Sequence, residues 1–125
     1  MQLKLFGGAS IGTPAGPLSG RAAQRHRIAL LALLALQGER TLKREKLVGY
    51  LWPETPDARA RHLLSDSIYR INSALGAQAI IAAGEDVRIN SELVDCDVVR
   101  FEAACHRHDF AAAAELYHGP LLDGF

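Results

Sequence analysis

The sequence predicts an α+β fold in which a small β-meander precedes three helices and a β-hairpin, followed by two short helices. A helix–turn–helix pattern over residues 41–76 carries most of this prediction, together with two short apolar runs that flank residues 84–86. Two helices joined by a tight turn can lay the second helix in a DNA groove.

The first twenty residues predict a meander of short strands. Residues 2–6 alternate apolar and polar side chains, which is typical of a strand. Gly7-Gly8 predicts a turn, residues 9–11 a second strand and Leu18 a third, within a segment rich in glycine and proline.

The longest apolar run, residues 28–36, predicts a buried helix from about residue 21 to residue 37, ended by Gly38. A bilayer span takes about 20 apolar residues, so the run is too short for one. It also begins too far along the chain for a secretory signal. We therefore expect a cytoplasmic protein with no membrane partner.

The helix–turn–helix pattern opens with a short helix over residues 43–51, for which Thr41 and Glu45 predict a capping box. Pro53 and Pro56 mark the turn that follows, since proline costs little in the first turn of a helix.

A long second helix is predicted from Asp57 to Leu75, with Gly76 as its end. At 100° per residue, the predicted core stripe is Ala60, Leu64, Ile68, Ile71 and Leu75. The predicted outward side carries Arg59, His62, Asp66, Tyr69, Arg70 and Ser73.

Residues 79–82 and 87–90 predict the two strands of a hairpin, placed as a wing after the long helix. Residues 93–95 predict one more strand. A helix capped by Asp97 over residues 98–106 and a helix over residues 110–117 then resemble one helical-repeat unit, which needs stacked neighbours to bury its apolar face. We expect the chain to be part of a longer protein.

The charges are distributed unevenly, although the net charge is zero. Residues 1–76 hold 11 Lys and Arg against 5 Asp and Glu, whereas residues 77–125 hold 3 against 9. Such asymmetry indicates polyanion binding by the basic part, and the alternative is an uneven surface without function.

No catalytic constellation or nucleotide-binding loop is legible, so no enzyme and no cofactor are expected. Cys96 and Cys105 are expected to be reduced thiols. The run of Cys105, His106 and His108, with His118 beyond it, does not have the usual spacing of structural zinc ligands, and no metal is predicted.

The ordered set of motifs resembles a known family. The matching stretches include Leu5-Phe6-Gly7-Gly8, Glu45-Lys46-Leu47, Leu51-Trp52-Pro53, Ala58-Arg59-Ala60-Arg61, Val94-Asp95-Cys96-Asp97 and residues 116–122. Together they resemble the winged helix-turn-helix of the OmpR/PhoB type. They are most similar to the Streptomyces antibiotic regulatory protein family (SARP/AfsR-type), whose members append a bacterial transcriptional activation domain.

The resemblance implies a DNA-binding domain over residues 1–95 and the start of a TPR-like activation domain over residues 96–125. It implies double-stranded DNA and RNA polymerase as partners, with a homodimer on direct repeats and polymerase contacts at Glu54 and Thr55. The outward residues of the long helix would face bases. The phosphate and wing contacts would be Arg25, Arg27, Lys43, Arg44, Arg61 and Arg88.

An alternative stays open, because the long helix departs from the family at Leu63, Ser65 and Asp66, where members often carry arginines. A carboxylate near DNA is repelled unless it meets a cytosine amino group. An exposed Leu63 beside Tyr69 would suit a protein partner. The alternative is a winged helix that serves as a protein-interaction module without binding DNA.

Overall fold

A computed structural model describes residues 2–8, 10–13, 16–17, 22–38 and 40–122 of this mixed α+β protein. The helices within that range are α1 (Ala22–Leu36), α2 (Arg44–Leu51), α3 (Asp57–Leu75), α4 (Asp97–His106) and α5 (Phe110–Leu116). The strands there are β1 (Gln2–Lys4), β2 (Ser10–Thr13), β3 (Gly16–Pro17), β4 (Leu42–Lys43), β5 (Ile80–Ala83), β6 (Asp86–Ile89) and β7 (Asp95–Cys96).

The described strands form two small sheets, in the orders β3-β2-β1-β7 and β4-β6-β5. β7 runs parallel to β1, with Leu3 opposite Cys96. The strand predicted at residues 93–95 is therefore displaced: Leu93 lies in a turn, because its N–H donates to the Asn90 carbonyl at 3.0 Å. The predicted strand residues Ala9 and Leu18 lie outside the described residues.

The apolar run of α1 forms the centre of the core, as predicted. Leu30, Leu31 and Leu34 are fully buried, whereas Leu36 in the last turn is 41% exposed. The helix contacts α2, α3 and β6. This one element therefore supports both neighbouring helices and the sheet that carries the hairpin.

The capping box predicted for α2 is wrong. Lys43 is the N-cap residue of α2 and makes no side-chain cap, and Thr41 lies one strand ahead of the helix. The Arg44 N–H donates to the backbone carbonyl of Glu85 at 2.9 Å. Pairing of β4 with β6 thus satisfies an N–H group that a capping side chain would otherwise serve.

α3 has the predicted bounds and the predicted core stripe. Its buried residues are Ala60, Leu64, Ser67, Ile68 and Ile71. Leu75 is half-buried and packs against the core. Gly76 ends the helix with a φ of 72°, and its N–H donates to the Asn72 carbonyl at 2.9 Å. Glycine adopts this left-handed conformation without a steric penalty.

The predicted hairpin is formed by β5 and β6, and the Asn72 side chain joins its first strand to the end of α3. Asn72 donates from Nδ2 to the Ile80 carbonyl at 3.1 Å and accepts from the Ile80 N–H through Oδ1 at 3.0 Å. Val87 and Ile89 of β6 are buried, so Arg88 lies on the opposite face of the strand.

Asp97 joins the C-terminal helices to the N-terminal sheet. Its carboxylate accepts from the N–H groups of Leu5 at 2.9 Å and Phe6 at 3.0 Å, and from that of Val98 at 2.8 Å. Asp97 is the first residue of α4, and Cys96 holds the N-cap position. The predicted cap residue therefore serves mainly as a link to the residues at and beyond the end of β1.

The segment after α5 returns to the same sheet. The Phe6 ring lies 5.2 Å from that of Phe101 and 5.3 Å from that of Tyr117, and the Leu122 N–H donates to the Leu5 carbonyl at 2.6 Å. The predicted division after residue 95 falls inside β7. A separate function for residues 96–125 stays a prediction.

Candidate nucleic-acid interface

The side of α3 opposite the core stripe faces solvent along the length of the helix. Its exposed members are Arg59, His62, Tyr69, Arg70 and Ser73. Asp66 on the same side is half-buried, and Tyr69 is 70% exposed. The predicted outward orientation agrees with the structure, whereas contact of these residues with DNA stays a prediction.

Leu63 is half-buried, so the expectation of an exposed Leu63 beside Tyr69 is wrong. The amphipathic helix places position 63 closer to the core stripe than a strict division into two faces implies. Tyr50 on α2 is 61% exposed and adds a second accessible ring to the surface of the two helices.

Asp66 and Arg70 form an ion pair across one turn of α3. Arg70 donates from Nε to Asp66 Oδ2 at 3.0 Å, and both side chains remain accessible. Within the described part of the chain, neither Nη group of Arg70 has a protein partner. Asp66, which the sequence predicts to face DNA, thus binds Arg70 on the same outward side of α3.

The tip of the hairpin folds onto the beginning of α2 and the first half of α3 through charged side chains. Lys43 Nζ lies 2.6 Å from Asp86 Oδ1, and Arg61 Nη1 lies 2.6 Å from Glu85 Oε1. Arg44 joins them through the Glu85 backbone. We name these five residues the hairpin-tip cluster.

Arg44 connects the hairpin-tip cluster to both helices. Its Nε donates to the Gly84 carbonyl at 2.8 Å, and its Nη1 donates to Ser65 Oγ on α3 at 3.2 Å. Arg61 also donates to Asp57 Oδ2 at 3.1 Å, one turn earlier on α3. The tip is therefore attached to α2 and α3 at once.

Charge pairing in the hairpin-tip cluster shifts the pKa values of Lys43, Arg61 and Glu85. The hydrogen bond to Asp86 raises the pKa of Lys43, and the hydrogen bond to Glu85 raises the pKa of Arg61. The hydrogen bond from Arg61 lowers the pKa of Glu85. Lys43, Arg44 and Arg61 are predicted to contact phosphates. All three already bind carboxylate or carbonyl groups of the hairpin tip.

The sequence analysis assigns no partner to the acidic residues Glu85 and Asp86 at the hairpin tip. The available signal was charge complementarity between Lys43-Arg44 and Glu85-Asp86. Register alone decides whether these pairs meet, and Lys43 lies directly opposite Asp86 in the sheet. That register depends on long-range packing.

The remaining predicted phosphate residues lie apart from the hairpin-tip cluster. Arg25 on α1 is exposed and borders a cavity of about 200 Å³ that Tyr50 also lines, and Arg27 is half-buried. Arg88 is half-buried and lies beside a cavity of about 480 Å³ on the outer face of the hairpin. Its Nη1 contacts the Ile89 carbonyl at 3.4 Å.

The turn between α2 and α3 is supported by a stacked pair of rings. Trp52 stacks on His26 of α1 with centroids 5.0 Å apart, and a nitrogen of His26 lies 3.1 Å from the Leu51 carbonyl. This packing gives Trp52 a structural role between α1 and the turn. Glu54 is exposed and Thr55 half-buried, so both border the surface of the turn.

Among the described residues, no three His, Cys, Asp or Glu side chains come together as metal ligands. Cys96 is buried, which raises the pKa of its thiol, and Cys105 is half-buried. In the same part of the chain, no helix combines the length and apolar character that a bilayer crossing requires.

The fold and the outward side of α3 define a mixed α+β protein that presents one long polar helix surface beside a hairpin. The chain shares its fold with EmbR of Mycobacterium tuberculosis, solved in complex with a low-affinity phosphopeptide, at a TM-score of 0.70 and 22% identity. The alignment covers 98% of this chain and 37% of EmbR.

The shared fold agrees at the level of architecture with the mixed α+β organisation that the sequence predicts. No protein-family model matches the sequence, and no curated protein matches it significantly. This chain spans little more than a third of the EmbR chain, so the similarity concerns the fold alone.

Proposed function

We propose that this chain is the DNA-binding part of a transcriptional regulator, built as a winged helix-turn-helix. α3 enters the major groove and the β5–β6 hairpin acts as the wing. The observation that carries the proposal is the separation of the two sides of α3: the apolar stripe is buried, and the side bearing Arg59, His62 and Arg70 is open to solvent.

The likeness to EmbR supports a regulatory role, because EmbR is itself a transcriptional regulator. The basic character of residues 1–76 supports a polyanionic partner. Recruitment of RNA polymerase through Glu54 and Thr55, action as an activator and binding of a homodimer to direct repeats belong to the same proposal.

The arginines of α3 have different environments and therefore different proposed roles. Arg61 belongs to the hairpin-tip cluster and pairs with two carboxylates. Arg59 has no ion pair within the described residues, which leaves its full charge for a phosphate. We assign phosphate contacts first to Arg59, then to Arg25 and Arg27 on α1.

Binding to random-sequence duplex DNA at about 50 and 200 mM salt tests the proposal. Each phosphate contact contributes about 0.9 to the slope of log affinity against log salt. Arg59→Ala should weaken binding and reduce that slope by about 1. Arg70→Ala should also weaken binding to a specific site, because its guanidinium lies on the same outward side.

Arg107→Ala is a matched control, since Arg107 is exposed at the end of α4 and its loss removes the same charge from a helix outside the proposed interface. It should leave both the affinity and the slope nearly unchanged. Absence of binding at 50 mM salt, or equal losses in Arg59→Ala and Arg107→Ala, would exclude the proposed interface.

The alternative function is a protein-interaction module. The hairpin-tip cluster favours it, because Glu85 and Asp86 offset cations that would otherwise attract phosphates. The exposed rings of Tyr50 and Tyr69 suit a protein surface. If no duplex binds at low salt, this alternative becomes the better explanation of the fold.

A further inference from the structure

We infer that Asp66 is a positioning residue that orients Arg70 to read a guanine, so that the pair acts as one base-reading unit. This inference rests on the proposed function, since it assigns sequence specificity to one place on the outward side of α3. It also gives Asp66 a second role. Its negative charge by itself would only weaken binding to DNA.

The geometry of the pair supports this role. The Asp66 carboxylate accepts from Nε of Arg70 at 3.0 Å, so the two Nη groups at the end of the guanidinium stay available. Arginine recognises guanine by donating two parallel hydrogen bonds to O6 and N7. A carboxylate on Nε leaves that fork intact and restricts the rotation of the side chain that carries it.

The position of the pair on α3 is also suitable. Arg70 and Asp66 lie one helical turn apart on the outward side, with exposed His62 and Tyr69 beside them. An exposed pair of this kind contributes little to folding stability. Its main consequence is therefore the restricted orientation of an otherwise flexible side chain.

A second pair on the same helix provides an internal comparison. Asp57 and Arg61 are also four residues apart and also join Oδ2 to Nε, at 3.1 Å. In that pair an Nη group of Arg61 is occupied by Glu85 at 2.6 Å. Arg61 thus keeps only Nη2 without a partner, whereas Arg70 keeps both Nη groups, so of these two pairs the Asp66–Arg70 pair has the complete fork for a base.

Selection of bound sequences from a randomised duplex library tests the inference in the whole chain. The unmodified protein should enrich guanine at one position. Arg70→Ala should reduce that preference by about ten- to a hundredfold. Asp66→Ala should reduce it by about two- to tenfold, the cost of ordering a freed side chain, while binding to random duplex becomes no weaker.

Two variants separate orientation from charge. Asp66→Asn keeps an acceptor for Nε and should retain most of the guanine preference. Asp57→Ala removes the same charge from the same helix and should leave the preference unchanged.

In the Arg70→Ala background, Asp66→Ala should have no further effect on base preference, because Asp66 acts through Arg70.

The outcomes are distinguishable. An unchanged guanine preference in Asp66→Ala, with the same gain in random-duplex affinity as in Asp57→Ala, would show that Asp66 acts only as a charge and would overturn the inference. Survival of the preference in Arg70→Ala would also overturn it. If the unmodified protein binds no duplex, the proposed function is overturned, and this inference with it.

Discussion

Arg61 Nη1 lies 2.6 Å from Glu85 Oε1, and this ion pair joins the first half of α3 to the tip of the hairpin. The contact links the basic part of the chain to its acidic part. It therefore offsets, at one place, the charge asymmetry from which the sequence predicts a polyanionic partner.

Removal of the Glu85 charge should strengthen binding to DNA. In Glu85→Gln, Arg61 is left without its closest carboxylate, so we expect tighter binding to random duplex and a salt slope steeper by about 1. Glu102→Gln, an exposed position on α4, is the control for the loss of one negative charge. Weaker binding of Glu85→Gln would indicate that the pair instead positions α3 for DNA.

The stability contributed by the Glu85–Arg61 pair should depend on pH in the acidic range. Because Arg61 lowers the pKa of Glu85 below its ordinary value of 4.5, the folded state favours the charged carboxylate. The contribution is complete above pH 4.5 and is lost as the pH falls through the lowered pKa. The difference in Tm between the unmodified protein and Glu85→Gln should therefore narrow below pH 4.5.

An NMR titration of the Glu85 carboxyl group checks the same prediction directly. The midpoint should lie below 4.5 in the unmodified protein. It should return toward 4.5 in Arg61→Ala, which removes the main cause of the shift. An identical midpoint in both proteins would contradict the ion pair in solution.

Loss of the Asp97 carboxylate should destabilise the protein substantially. Asp97→Ala leaves the partly buried N–H groups of Leu5 and Phe6 without their acceptor. We expect a loss of about 2–4 kcal/mol in the free energy of unfolding, measured in urea. Asp109→Ala removes an exposed N-cap bond to Ala112 and should cost only about 1 kcal/mol. Equal costs would show that Asp97 is an ordinary cap.

Two glycines should respond to alanine with opposite signs. Gly76 has a φ of 72°, and an added Cβ there meets no atom within 4 Å, so Gly76→Ala should cost about 1–2 kcal/mol from backbone strain alone. Gly49 lies within α2 with equally open space, and Gly49→Ala should stabilise by up to about 1 kcal/mol. Urea unfolding of both variants measures the difference, and a cost at both positions would argue against the α2 helix.

The two thiols should react at different rates with a thiol reagent. Cys96 is buried and burial raises the pKa of its thiol, so its reaction should await local opening. Cys105 is half-buried and should react first. The fast phase should disappear in Cys105→Ser. A fast phase that survives in that variant would show that the Cys96 thiol is accessible.

The periodicity of α3 was sufficient to predict its bounds, its buried stripe and its outward side, and the apolar run of α1 predicted the centre of the core. Helical side chains repeat every 3.6 residues, so local order alone separates the two sides. Gly76 likewise acts locally, because its conformation is available to glycine without strain.

The roles of Asp97, Thr41 and the hairpin-tip cluster required tertiary contacts. Asp97 looks like a helix cap in sequence, yet its carboxylate meets backbone groups more than ninety residues away. The cap predicted at Thr41 is replaced by pairing of β4 with β6. Such contacts depend on which distant segments become neighbours in the fold, and local sequence patterns do not predict this.

The same distinction applies to the candidate interface. The order of residues established that Arg59, Arg61 and Arg70 lie on a helix with a polar side, since helical spacing is a property of the chain itself. Folding then gave each arginine a different environment. Arg61 forms an ion pair with Glu85 of the hairpin and Arg70 forms one with Asp66, whereas Arg59 has no ion pair among the described residues. Coulomb attraction is strong only at a few ångströms, so the packed positions of the partners decide which pairs form.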